Sequence, residues 1–526
     1  MRDERIRAAA ILSVSTLIFL LGYVLMTIYT DPTTESIRFQ SHHYDITWRY
    51  WLQSRYYPPF WDYFWHLFTL VFGPKFIYTS IANMLFVLLG ALLVYRLLTS
   101  EGARADMAAA GYAMTLLTPA ALIAALRLRV ETMMWFLLIG FIYFLVRSRT
   151  FTRAKESALS ATCLSLGLLG KWSFFGYSFL PALIESLTPT RKPARKLLGL
   201  IAFAITGLIL CGPWYLGVME PERILPSATN DPSLPVYSFT GMVKLNLSII
   251  YRDLWGPILT VLGAALVALA LLLARTRTLL LLLASFAGSI IFFSIPTHTE
   301  ERYLWPLVPV AAAAVALSLH TLGKRLKLKG FAATAMLCIA LVNLTITLGL
   351  FMRSSPEPHE LALRLFRLPK GTHERYHQCF MRVPALTGVD RPYIGIFPPM
   401  EYEFLDWGYS EYLKRISPDL APYTISPHDL TVYWRYQEEL RAMKFDAIAM
   451  NCGTDGDCDR AFEVFLEHEK WRLRVPYYQP GLKEDEVKIF DPESIIDDYE
   501  LIKKHYSPVA LCESYPGYVL VIWVRK

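Results

Sequence analysis

Residues 41–74 read SHHYDITWRYWLQSRYYPPFWDYFWHLFTLVFGP. The stretch holds two acids, Asp45 and Asp62, the histidines His42, His43 and His66, a double proline, and a dense set of Trp, Tyr and Phe. A loop in water does not need so many aromatic rings. At the headgroup level of a membrane they fit well, because Trp and Tyr keep a polar edge wet and bury an apolar body. The segment is therefore expected to lie along the outer face of a membrane and to present Asp45 there. An ionisable group beside such a segment is costly to keep and points to function; the plainer reading is a solvated loop aspartate. His42, His43, Arg49 and Arg55 are its candidate partners. Tyr57 and His66 belong to the same loop, and Asp62, past the double proline, is expected to anchor it.

The chain on either side agrees with a membrane. It has 526 residues, 54% hydrophobic and 18% charged, below the ~25% charged of soluble domains. Apolar runs of ~17–22 residues, long enough to cross a bilayer, recur at about 10–29, 76–98, 106–126, 131–146, 156–170, 172–187, 197–218, 255–274, 278–295, 303–320 and 331–351. The Lys and Arg behind the net charge of +7 sit in short clusters between these runs. Examples are Arg147 to Lys155, Arg191 to Lys196, Arg275 with Arg277, and Lys324 to Lys329. Every second turn is basic, which is the positive-inside pattern and not a nucleic-acid signature. The expectation is eleven spans, an inner N-terminus and a retained first anchor. A polar, Pro-rich loop is expected at 219–254.

After residue 351 the composition becomes that of a soluble domain. The expected division is a transmembrane module at 1–351 and an extracytoplasmic α/β domain at 352–526. Strand-like runs occur at 392–397, 445–451, 486–491 and 517–524, with a helical stretch at 429–443. Cys163, Cys211 and Cys338 fall in apolar spans, where a cysteine acts as a small hydrophobe. Cys379, Cys452, Cys458 and Cys512 are all in the tail, an even number that suits disulfides in an exported domain. Cys452 with Cys458 and Cys379 with Cys512 are the expected pairs. The acids of DGDCD at 455–459 are expected to form a polar turn, because Arg460 and Leu466 stand where an EF-hand needs Gly and Glu.

Other charged residues sit where spans end. Arg127, Arg129 and Glu131 form a tight turn, or a simple self-neutralising one. Lys171 stands alone in LLGKWSFF, either facing a phosphate or snorkelling to the interface. Arg302, in the cluster His298 to Arg302, could clamp a phosphate with its planar guanidinium.

Four of these segments, in order, resemble those of the GT-C superfamily of glycosyltransferases. The resemblance is to the polyprenyl-phosphate-sugar-dependent protein O-mannosyltransferase-like and lipid A aminoarabinose transferase groups. The segments are YPPFWDYFWHLFTLVFG, LTPAALIAALRLRVETMMWFLLIGFIYFLVR, LGLLGKWSFFGYSFLPALI and ERYLWPLVPVAAAAVAL, and the likeness spans about residues 1–350. It implies that Asp45 matches the first-loop catalytic acid. Glu131 stands where relatives often carry Asp, and Lys171 and Arg302 match donor-phosphate positions. The chain departs from its relatives in carrying Ile46 after Asp45 instead of a second acid, and YPP instead of HPP.

The implied chemistry transfers a sugar, with inversion, from a polyprenyl-phosphate donor to an acceptor hydroxyl on a lipid, a glycan or a protein. Asp45 acts as general base, while Lys171, Arg302 and Arg127 stabilise the departing phosphate. A divalent metal is optional; Asp45 and Glu131 would be its ligands. The implied location is the inner membrane of a bacterial-type envelope, with the site on the periplasmic face. The rival classes are a non-enzymatic lipid-linked sugar flippase, which would place its charges at the bilayer midplane, and a membrane-anchored scaffold.

Overall fold

The computed structural model describes residues 2–29, 58–72, 76–126, 129–217, 219, 239–251, 257–273, 276–295, 301–327, 331–354, 382–397, 424–425, 433–452, 456–469, 492–513 and 519–526. His42, His43, Asp45, Arg55, Tyr57, Arg127, Cys379 and the strand expected at 486–491 lie outside the described residues, as do the side chains of Asp62 and Cys512. The chain divides into two compact units, residues 1–26 with 46–363 and residues 27–45 with 364–526.

The first unit is helical. Its elements are α1 (Arg2–Tyr29), α2 (Phe60–Phe72), α3 (Phe76–Ser100), α4 (Ala105–Leu116), α5 (Pro119–Leu126), α6 (Val130–Arg147), α7 (Ala154–Gly170), α8 (Phe174–Leu187), α9 (Pro193–Gly217), α10 (Phe239–Ile249), α11 (Pro257–Leu273), α12 (Arg277–Phe292), a 3-10 turn (Glu301–Leu304), α13 (Leu307–Arg325) and α14 (Phe331–Ser354). The expected spans are helical, the one expected at 106–126 being broken into two helices. Among the described residues five helices are long and apolar enough to cross a membrane, or six if the bent pair α4–α5 counts as one span. Several of the rest are shorter apolar helices, such as Phe174–Leu187 and Arg277–Phe292.

The bend between α4 and α5 is 59°. Pro119 has no N–H to continue the helical ladder, and Thr118 Oγ1 accepts from Ala121 N–H at 3.3 Å to start the new helix. At the far end of α5, Ala124 O accepts from Asn83 Nδ2 (2.8 Å) and Thr132 Oγ1 (2.8 Å). Those side chains satisfy carbonyls that a broken helix leaves open in an apolar setting.

Small residues set the core. The alanine-rich runs of α4 and α13 let the two helices close up, which is how helices without a water-driven contact gain packing. A methyl on Gly111 of α4 would sit 2.5 Å from Leu98 and 3.4 Å from Ala316. At one end of the bundle the buried Glu185 of α8 binds Arg277, Nε to Oε2 at 2.7 Å with a second bond from Nη2. It also accepts Thr150 N–H at 2.6 Å. That carboxylate fixes a turn in which Arg149, Thr150 and Phe151 all have positive φ (51°, 60°, 60°).

Two helices replace expected irregular chain. Within the segment expected to be a polar loop, residues 239–249 form α10. Its Met242 and Ile249, two turns apart on one face, are buried, as is Asn246. In the aromatic stretch, α2 buries Trp61 and Trp65 and exposes Leu67, Leu70, Val71 and Phe72. Trp61 and Trp65 meet edge to face at 5.2 Å, and Phe64 reaches Phe86 of α3 at 5.4 Å.

The second unit is an α/β sheet domain with elements α15 (Val383–Thr387), β1 (Ile394–Phe397), β2 (Thr424–Ile425), α16 (Tyr433–Arg441), β3 (Ala447–Asn451), α17 (Cys458–Glu469), α18 (Pro492–His505), β4 (Tyr506–Glu513) and β5 (Val519–Arg525). The strand order is β2-β1-β3-β5-β4. β1 runs parallel to β2 and β3, while β5 is antiparallel to β3 and β4. Phe397, Met450, Val521 and Trp523 of the sheet pack with Phe462, Tyr499 and Ile502 of the helices. The Cys452–Cys458 disulfide is formed. β4 was not expected from the sequence. It follows α18 with no linker and carries Pro508 beside a register shift between Pro508 and Ala510, features that hide an edge strand from pattern reading.

Candidate active site

The site is built from the ends of helices. α6 begins after Arg129, whose extended backbone (φ −131°, ψ 146°) places Glu131 in the first turn, where a helix favours negative charge. α7 ends at Gly170. Lys171 leaves it extended (φ −158°, ψ 128°), its N–H bonded to Gly167 O. Both glycines are required by close approach: a methyl on Gly170 would stand 2.7 Å from Met133 of α6, and one on Gly167 2.6 Å from the Phe174 ring. The end of α7 is thereby pressed against the start of α6. Lys171 Nζ reaches Glu131 Oε1 at 2.6 Å, with the lysine side chain 15% and the glutamate 3% exposed. Glu131 thus has its cation on the neighbouring helix end.

The third component is the 3-10 turn. Lys171 Nζ lies 4.2 Å from the centroid of the Tyr303 ring, and the Arg302 guanidinium carbon lies 5.5 Å from it. Both cations therefore share the electron-rich face region of one ring. Tyr303 is itself held. Its ring stacks on Phe293 at 5.7 Å and 20°, and its carbonyl accepts the hydroxyl of Tyr177. Tyr177 in turn packs on Phe293 at 5.3 Å. Asn246 of α10 donates to Phe293 O (3.1 Å) and Ser294 Oγ (3.2 Å). The approach of α8 to α12 depends on small residues again. Ser285 Oγ donates to Tyr177 O at 2.8 Å, and a methyl on Gly288 would come within 2.7 Å of Gly176 O.

The structure thus brings three expected residues, Glu131, Lys171 and Arg302, to one junction, with a formal surplus of positive charge. Tyr303 and Tyr177 were not expected there. Tyr303 neighbours Arg302 in ERYL, but nothing local shows that it meets Lys171, and Tyr177 acts only through a carbonyl far along the chain. His66 is half-buried on α2. Among the described residues no group of three or more His, Cys, Asp and Glu gathers as a metal-ligand set; Asp45, the expected partner of Glu131 in such a set, lies outside them.

The model of the Alg9-like mannosyltransferase family matches residues 235–372, a segment that includes Phe293, Arg302 and Tyr303. No curated protein matches the chain. Among solved structures it is similar to ArnT from Cupriavidus metallidurans bound to undecaprenyl phosphate, at 14% identity and a TM-score of 0.57 over 98% of this chain and 97% of that one. It is also similar to the oligosaccharyltransferase AglB from Archaeoglobus fulgidus, in complex with an inhibitory peptide and a dolichol-phosphate. That match has 12% identity and a TM-score of 0.58 over 96% of this chain and 79% of that one. The helical unit with its C-terminal sheet domain is therefore the fold of the GT-C membrane glycosyltransferases.

Proposed function

We propose that the protein transfers a sugar from a polyprenyl-phosphate donor to an acceptor hydroxyl at the outer face of a membrane, with inversion. The observation that carries this reading is the junction of Glu131, Lys171, Tyr303 and Arg302. Two cations fixed on one ring at the ends of apolar helices suit a lipid monophosphate, whose charge lies at the headgroup level while its chain stays among the helices. The ArnT and AglB structures carry such phosphates, undecaprenyl phosphate and a dolichol-phosphate respectively.

In this reading Asp45 removes the proton of the acceptor hydroxyl as its oxygen attacks the anomeric carbon. The bond from that carbon to the phosphate oxygen breaks, and a single displacement inverts the centre. Charge grows on the departing polyprenyl phosphate, where Lys171, Arg302 and Arg127 oppose it. Glu131 holds Lys171 in place. A metal bound at Glu131 would have to displace that 2.6 Å contact.

The test is incubation of purified protein in lipid vesicles with undecaprenyl-phosphate sugars radiolabelled in the sugar. Release of the sugar onto an acceptor, lost ~10²–10⁴-fold in Asp45→Asn and reduced in Lys171→Ala and Arg302→Ala, is the expected result. Movement of intact donor between leaflets without cleavage would overturn the proposal in favour of a flippase.

A further inference from the structure

The ends of α6, α7, α8 and α9 that lie away from the junction form a second corner of the helical unit, which the proposed transfer does not use. α7 runs from Ala154 to Gly170, which puts this corner ~25 Å from Lys171 at the helical rise, close to the ~30 Å hydrocarbon thickness of a bilayer. Three contacts hold its parts together. Glu185 of α8 accepts Thr150 N–H from the turn between α6 and α7 at 2.6 Å. The Phe151 ring meets Phe203 of α9 edge to face at 5.2 Å, and a methyl on Gly199 of α9 would strike Phe151 O. Ser148 Oγ accepts Phe151 N–H at 3.1 Å. The positive φ of Arg149, Thr150 and Phe151 in succession is a conformation that persists only where the surroundings enforce it, and such places cluster at binding sites. Here the turn buries Thr150 and Phe151 and leaves Arg149 exposed.

Charge at this corner is unbalanced. Arg149, Lys155, Arg191, Lys192 and Arg195 are exposed, and among the described residues none of them has a carboxylate partner. The acids of the corner are already engaged, Glu156 with Arg153 at 3.7 Å and the buried Glu185 with Arg277. Orientation in a membrane asks only for a surplus of Lys and Arg on one side. Where α1 meets the start of α4, the chain neutralises its cations: Arg104 and Arg7 share Asp106 at 2.6 and 3.6 Å, and Glu4 accepts Ala105 N–H at 2.7 Å.

Apolar surface begins beside the cations. Leu197, Leu198, Ile201, Ile205 and Leu208 of α9 are exposed. Their spacing puts them on one side of the helix, starting two residues after Arg195. The cations fit a phosphate, and the stripe fits an alkyl chain. One helix carries both, so one amphiphile satisfies both. We propose that this corner binds an anionic phospholipid, its headgroup among Arg149, Arg191 and Arg195 and its chains along α9, in the leaflet opposite the candidate active site. The inference rests on the membrane setting of the fold and not on the transfer reaction.

The test is native mass spectrometry of the full-length protein released from micelles, offered phosphatidylglycerol and phosphatidylcholine with identical chains. Preferential retention of phosphatidylglycerol is expected. Arg149→Gln with Arg191→Gln and Arg195→Gln should lower that preference by at least about fivefold, the worth of one cation at an anionic surface. Lys324→Gln with Arg325→Gln and Lys327→Gln is the charge-matched control. These cations are exposed too, but α13 beside them is mostly buried, so the preference should be unchanged. Thermal melts in phosphatidylcholine micelles check that both variants fold; if the first does not, Arg195→Gln alone repeats the reading with one contact removed. Glycerol phosphate, which carries the charge without the chains, should not displace the lipid. Equal retention of the two lipids would overturn the proposal, as would an equal loss of preference in the two triple variants. Displacement by glycerol phosphate would also overturn it, because the corner would then be a soluble-anion site.

Discussion

The buried pair of Glu131 and Lys171 is most directly probed by a double-mutant cycle with Lys171→Met and Glu131→Gln. At 2.6 Å two unit charges attract with roughly 6 kcal/mol at an effective dielectric of ~20. Desolvation of both ions offsets much of that, so the intact pair adds little net stability. Breaking it from one side is different, because one buried charge is left behind, at ~3–5 kcal/mol. The two sides are not equivalent. Glu131 is 3% exposed and Lys171 15%, and the flexible lysine stem can turn its ammonium toward the interface. Glutamine at 131 also keeps a hydrogen bond to the ammonium. Lys171→Met should therefore cost about 3–5 kcal/mol, and Glu131→Gln about 1–3 kcal/mol, the worth of a hydrogen bond to a charged group. The double variant should be more stable than the sum predicts, with a coupling of ~1–3 kcal/mol. The assay is denaturant unfolding in micelles read by tryptophan fluorescence. Additivity within ~0.5 kcal/mol, or a larger loss in Glu131→Gln than in Lys171→Met, would refute this account of the junction.

Gly199→Ala places a methyl 1.8 Å from Phe151 O, a backbone atom in the turn fixed by Glu185. The substitution should destabilise the helical unit by at least ~1–3 kcal/mol, while Gly207→Ala on the same helix, whose nearest neighbour is Ser165 Oγ at 3.9 Å, should be neutral or stabilising; comparing their unfolding temperatures in micelles checks this. In the sheet domain, the buried hydroxyl of Tyr506 donates to Phe445 O at 3.0 Å, and burial pushes its pKa up to about 12. The unfolded chain loses this proton near ~10, so the contribution is fully present below about pH 10 and is lost as pH rises toward the folded value near 12. Thermal melts of the domain should be flat to pH 10 and then fall, and Tyr506→Phe should shallow that fall. The shallowing is partial, because half-buried Tyr393 and buried Tyr499 are shifted in the same direction.

Whatever depends on local composition was legible in the chain itself. Runs such as FIYTSIANMLFVLLGALLVYRLL and LVPVAAAAVAL had to become apolar helices, because a chain in lipid must satisfy its backbone within each segment. The strand VLVIWVR shows its β-branched character without context. Cys452 and Cys458 are close enough in sequence to pair without help from the fold. The charged residues at span ends, Glu131, Lys171 and Arg302, were equally visible as types that apolar surroundings do not hold without a reason.

What they do to one another was not visible. The contact of Glu131 with Lys171 exists because Gly167 and Gly170 let one helix end close on another. Tyr303 receives both cations because Phe293 and Tyr177 fix it from two other helices. The same holds for β4, which Pro508 disguises and only pairing with β5 makes a strand, and for α10, whose amphipathic face has meaning only against Phe293. Sequence determines the elements because helix and strand signals act over a few residues. The site forms from contacts between residues far apart in the chain, and only close packing decides which of them meet.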